Sequence, residues 1–164
     1  MNVSAASQKA VVDRDRQNSE RRLNMRLMSF WLELRGKGPL ALAENFDPKS
    51  IAELWPHCFT VKHADEPDRA SLEHLGEAIA MVSGLAPRAM AASKVPADTL
   101  LGQALRLVDE VMRIKYPVVD SAEFTDFQGR RCLYRSILLP LSDDRGEISL
   151  LLGGARGRYL EPQP

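Results

Sequence analysis

The strongest run of apolar positions lies near the end of the chain, within residues 130–158. Residues 132–141 are rich in Leu, Ile and Tyr. Residues 142–146, Ser-Asp-Asp-Arg-Gly, carry turn chemistry. Residues 148–152 are apolar again, and Gly153-Gly154 closes that run. Two apolar runs around a short Gly-containing loop predict an antiparallel hairpin. Leu138, Leu139 and Leu141, then Leu150, Leu151 and Leu152, exceed strict alternation, which predicts strands covered on both faces. Leu133, Ile137, Leu139, Ile148, Leu150 and Leu152 are assigned to the core. A hairpin alone is marginally stable, so the rest of the chain is read as what completes and covers this sheet.

Residues 1–10 are small and polar and are expected to fray. Residues 11–35 contain no Gly or Pro and are rich in Arg, Leu, Met, Glu and Gln, which predicts one long helix ended by Gly36-Lys37-Gly38-Pro39. Its first half is polar nearly all round. Its second half carries two stripes. Leu23, Leu27, Phe30, Trp31 and Leu34 fall within an arc of about 100°. Met25, Met28 and Leu32 lie on nearly the opposite side. One core needs one stripe. The expectation is that one stripe packs on the sheet and the other on a second subunit, which makes all eight residues candidates for a dimer interface.

After a linker at residues 39–45, Asp47 is a natural N-cap with Pro48 behind it, and a short helix should stop at Trp55 because Pro56 follows. Residues 58–61 read as a strand and residues 64–69 as a charged loop. Residues 71–75 give a second strand, residues 76–84 a helical stretch and residues 85–95 an irregular connection. Asp98 is the next predicted N-cap. Leu100, Leu101, Ala104, Leu105, Leu107, Val108, Val111 and Met112 then follow at helical spacing towards Pro117. Residues 118–124 are a strand and residues 126–129 a turn. Strands grouped at the two ends around helices predict an α+β fold with an antiparallel sheet.

Apolar residues make up 45% of the 164, enough for a core. Lys plus Arg equals Asp plus Glu at 22 each; that balance argues against nucleic acid as the main partner. Cys58 and Cys132 lack CxxC spacing and read as buried thiols in a reducing compartment. No signal peptide and no membrane span is predicted, so the expected location is the cytoplasm.

The candidate chemistry is sparse. His57, His63 and His74 could each be a haem ligand, but nothing else supports haem. His57 and Cys58 are neighbours on or beside a strand and point apart, which argues against zinc. Neither cysteine has the context of a photoactive flavin domain, and aromatics, at 6%, are few for flavin stacking. No cofactor is therefore predicted. Residues 153–158 resemble a glycine-rich loop without the Walker Lys-Ser or Lys-Thr; the alternative there is anion or nucleotide binding by Arg156 and Arg158. Glu66, Asp68, Glu73 and Glu77 lie near the second strand and are explained by a charged loop. No catalytic constellation is found, so an enzyme is not expected.

Two stretches carry a family resemblance. Residues 45–59, NFDPKSIAELWPHCF, lead an Asp-Pro helix through Trp-Pro-His into a strand. Residues 134–154, YRSILLPLSDDRGEISLLLGG, place Leu-Pro-Leu-Ser before an acidic turn. Over residues 25–158 the chain resembles the bacterial single-domain PAS-like proteins. The resemblance implies a five-stranded antiparallel sheet with helices over one face and a cavity between them for a small ligand. It also implies a signal-transmitting, dimerising N-terminal helix. The expected division is residues 1–38 as that helix, 39–158 as the PAS-like domain and 159–164 as a tail. The expected function is a non-catalytic sensory or interaction module, a homodimer that binds a small molecule or a regulatory protein. The alternative is a small enzyme or ligand carrier using the same cavity.

Overall fold

The computed structural model describes residues 5–62 and 70–162. The predicted charged loop, with His63, Glu66 and Asp68, lies outside them. Helix α1 spans Ala5–Arg35. It begins before residue 11 because Ala5, Ala6, Gln8, Lys9 and Ala10 are themselves good helix formers. It ends at Gly36, whose φ of 58° is the left-handed C-cap conformation. The Gly36 N–H donates to Leu32 O and Glu33 O, both at 3.2 Å.

The sheet contains β1 (Ala41–Leu42), β2 (Cys58–Lys62), β3 (Ser71–Leu75), β4 (Met90–Ala91), β5 (Val118–Thr125), β6 (Arg131–Ser142) and β7 (Ile148–Tyr159). The order is β1-β6-β7-β2-β3-β4, with β5 also pairing β6. Five principal strands make the predicted antiparallel sheet. The two-residue strands extend it, β1 in parallel with β6 and β4 against β3. The predicted hairpin is β6–β7, closed by the Asp143 carboxylate, which accepts from the N–H groups of Arg145 and Glu147 at 2.9 and 3.0 Å. Gly153-Gly154 does not end β7, contrary to the sequence reading. The strand runs through both glycines into what was expected to be a tail at residue 159.

The glycines are there for space. A Cβ at Gly153 would meet Cε2 of Phe59 at 2.5 Å and come nearer still to Cζ and Cε1. One at Gly154 would run into Leu27 of α1. One at Gly157 would press on Cys132 Sγ at 2.9 Å and on Leu100 of the helical layer at 3.5 Å. Neighbours on a strand face opposite ways, so these contacts identify the two faces of the sheet. Helices therefore cover both faces: the expected helical layer on one, and the long N-terminal helix, through one of its stripes, on the other. Helices α2 (Glu77–Ser83), α3 (Leu100–Ala104) and α4 (Val108–Ile114) lie on one side. Helix α1 lies on the other, against β6 and β7. Of the six assigned core residues, Ile137, Leu139, Ile148 and Leu152 are buried and Leu133 and Leu150 half-buried.

Two local readings are also corrected. The Asp47 cap is real, accepting from Lys49 N at 3.0 Å, but it starts only 3-10 turns, Pro48–Ile51 and Trp55–His57. The helix expected from Asp98 is capped instead by Thr99, whose Oγ1 accepts from Gly102 N at 3.0 Å. A 3-10 turn, Leu105–Leu107, separates α3 from α4.

Two side chains of α1 fasten it to β6. The Trp31 indole donates to Pro140 O at 2.7 Å, and Asn24 Nδ2 donates to Ser136 O at 3.2 Å. Pro140 lies between the parts of β6 paired by β5 and by β1. The indole satisfies a buried carbonyl there, where an unmade hydrogen bond costs about 1–3 kcal/mol.

Candidate functional site

Two surface features stand out, one on each side of the sheet. The first is a cavity of about 390 Å³ between β2 and α4. Val61, fully buried on β2, is its floor; Leu105, Val108 and Met112 form the roof. Ala70 and Ala92 close one wall, held together by a hydrogen bond from Ala92 N to Ala70 O at 3.0 Å. Asp109 is the single charged lining residue among the described residues. The deeper space between sheet and helices is filled by Phe59, Leu72, Ile79, Leu100, Leu101 and Leu138, all essentially inaccessible.

The second feature is the outer ridge of α1. Met25 is 62% exposed and Leu32 38%; Val119 on β5, beside Met25, is 58% exposed. A groove of about 430 Å³ runs along one flank of Met25, towards Ile51 and Leu54. Another, of about 370 Å³, runs along the other flank, between Asn24, Met28 and Val119. Flexible methionines on an exposed face suit a binding surface.

The sequence-derived interface candidates separate cleanly. Leu23, Leu27 and Trp31 are buried against the chain's own sheet, and Phe30, Leu34 and Met28 are half-buried against the same core. Met25 and Leu32 are left facing outwards. Arg156 and Arg158 lie on β7, on the α1 side of the sheet; Arg156 is directly opposite Arg135, and Arg158 opposite Leu133.

The other candidates are structural in their surroundings. His74 stacks on Trp55, with ring centroids 3.8 Å apart and planes 3° from parallel. Burial lowers its pKa, against the opposing hydrogen bond to Trp55 O. Burial and then the Arg156 charge lower that of His57. The Cys58 thiol donates to Leu54 O at 3.2 Å, and burial pushes its pKa up to about 12, far from a reactive thiolate. Among the described residues no three His, Cys, Asp or Glu side chains gather as a metal site. Sequence reasoning missed the cavity residues, because Val61, Ala70, Ala92 and Met112 follow no period that marks a cavity.

A family model described as PAS domain matches residues 19–155. No curated protein matches the chain in sequence. Among solved structures, the PAS domain from Bordetella pertussis BvgS is 19% identical, with 70% of this chain and 88% of that one covered and a TM-score of 0.40. The LOV domain of a blue-light activated histidine kinase from Erythrobacter litoralis is 14% identical, with 63% and 95% covered and a TM-score of 0.43. The Vibrio cholerae VqmA dimer is 13% identical, with 71% and 52% covered and a TM-score of 0.46; the match spans about half of that chain.

Proposed function

This chain belongs to the PAS domain family, and from that premise we propose that it is a non-catalytic sensory module that pairs with a second copy of itself through α1. The observation that carries the reading is the outward stripe of α1. Met25, with Val119 beside it, and Leu32 are exposed while the opposite stripe packs on the chain's own core. Covering them regains roughly 25 cal/mol for each Å² of apolar surface removed from water. Two-fold pairing does so with one self-complementary patch. The grooves on both flanks of Met25 would receive the ridge of the second copy. No helix among the described residues is long and apolar enough to cross a membrane. The two free, buried cysteines suit a reducing compartment, and the cytoplasm is proposed.

Light scattering across micromolar concentrations tests the pairing. Wild type should be a dimer. Met25→Glu should be a monomer with an unchanged circular dichroism spectrum, since the site is exposed and charge is tolerated there. A wild type that stays monomeric over that range defeats the proposal.

We also propose that the module works without haem or flavin. Support comes from the aliphatic lining of the cavity, the packed interior behind it and the sealed Cys58 thiol. The purified protein should be colourless. A Soret band, or flavin absorbance that survives dialysis, would refute this.

A further inference from the structure

We infer that the cavity between β2 and α4 takes a small apolar molecule with a cationic amine, its hydrocarbon against Val61, Leu105, Val108 and Met112 and its ammonium at Asp109. The inference rests on the sensory reading and deepens it by giving the ligand a chemistry. Six of the seven described lining residues are Ala, Val, Leu or Met, and the seventh is a carboxylate. A volume of about 390 Å³ lies within the usual range for small-molecule sites, roughly 300–1,000 Å³. Binding sites of that kind are mostly apolar, with few polar groups to fix orientation. Among the described residues one group is available for that purpose, and its sign is negative.

Asp109 stands in the first turn of α4, where a carboxylate also complements the helix N-terminus. That role does not engage it with another side chain: it takes part in none of the ion pairs among the described residues. An exposed carboxylate at the rim lets an ammonium stay partly hydrated while its alkyl chain is buried. A carboxylic acid would meet repulsion at the same point, and a neutral alcohol would forgo the attraction. Met112 is unbranched and adaptable, and the alanines at 70 and 92 leave the wall low. The pocket therefore selects for charge at one end and tolerates variation in the hydrocarbon.

The test uses the full chain and three probes of one length: n-hexylamine, protonated at pH 7, n-hexanol and hexanoate. Binding is followed by amide NMR shifts at low ionic strength, on wild type, Asp109→Asn and a cavity-filling Val108→Trp. Hexylamine should bind about two- to fivefold more tightly than hexanol, the range that an exposed ion pair supplies. Hexanoate should bind most weakly. Asp109→Asn should erase the preference, as should about 1 M salt, where the Debye length is ~3 Å. Val108→Trp should remove binding of all three. Equal affinity for hexylamine and hexanol would overturn the amine inference while leaving the cavity as a ligand site. No shifts at the cavity with any probe would overturn it altogether. The dimer measurement is independent of both results, so a failure of the sensory reading is told apart from a failure of this one.

Discussion

Glutamate in place of Leu27 should leave the chain without a cooperative unfolding transition at 25 °C. Leu27 is fully buried and lies directly on the β7 backbone at Gly154. Removing a buried leucine side chain costs about 2–5 kcal/mol, and an unpaired carboxylate in its place adds several more. The sum reaches the whole stability of an ordinary domain, about 5–15 kcal/mol. Met25→Glu, half a turn away on the same helix, should stay within about 0.5 kcal/mol of the wild-type monomer because the site is exposed. Thermal melts of the two proteins, read by circular dichroism, make the comparison. If Leu27→Glu melts like Met25→Glu, then α1 does not cover this sheet in solution.

Alanine at Gly153 should also destabilise the chain. The new methyl group would be driven against the ring of Phe59, which is fully buried and pairs with Gly153 in register. Overpacking of this sort costs about 1–3 kcal/mol, on the order of 2–12 °C in Tm for a chain of this size. Phe59→Leu shortens the obstructing side chain. In the background of Gly153→Ala it should cost less than it does alone, a coupling measured by a double-mutant cycle. Strict additivity of the two changes would show that the methyl group and the ring never meet.

These two positions also mark where sequence reading succeeds and where it stops. The hairpin was legible because Asp143, Gly146 and the flanking leucines are local signals. The glycine pair was misread as a terminator for the same reason. Locally it looks like turn chemistry, whereas its cause is a ring on β2 and a leucine on α1, both distant in sequence. The two stripes of α1 were visible as periodicity, but periodicity does not say which stripe faces the sheet. That choice is made by Trp31 reaching Pro140 O and by the room at Gly154 for Leu27. Asp98 and Thr99 are both competent caps. Thr99 takes the role with its hydroxyl bonded to both Gly102 N and Pro96 O. The cavity left no trace in the pattern, since its lining comes from β2, the approach to β3, the segment after β4 and the helical layer, positions distant in sequence.

The placement of the two tryptophans gives the protein a built-in fluorescence readout. Trp31 sits in a dry niche with its indole N–H engaged, between α1 and β6. Trp55 is half-buried, face to face with an imidazole beside β3. Lifting α1 off the sheet would expose the first indole to water and shift its emission to the red, while the second keeps its imidazole partner on β3. A rearrangement around β3 would do the reverse. Single-tryptophan variants would therefore report, without any label, whether α1 or the surroundings of β3 move when something binds.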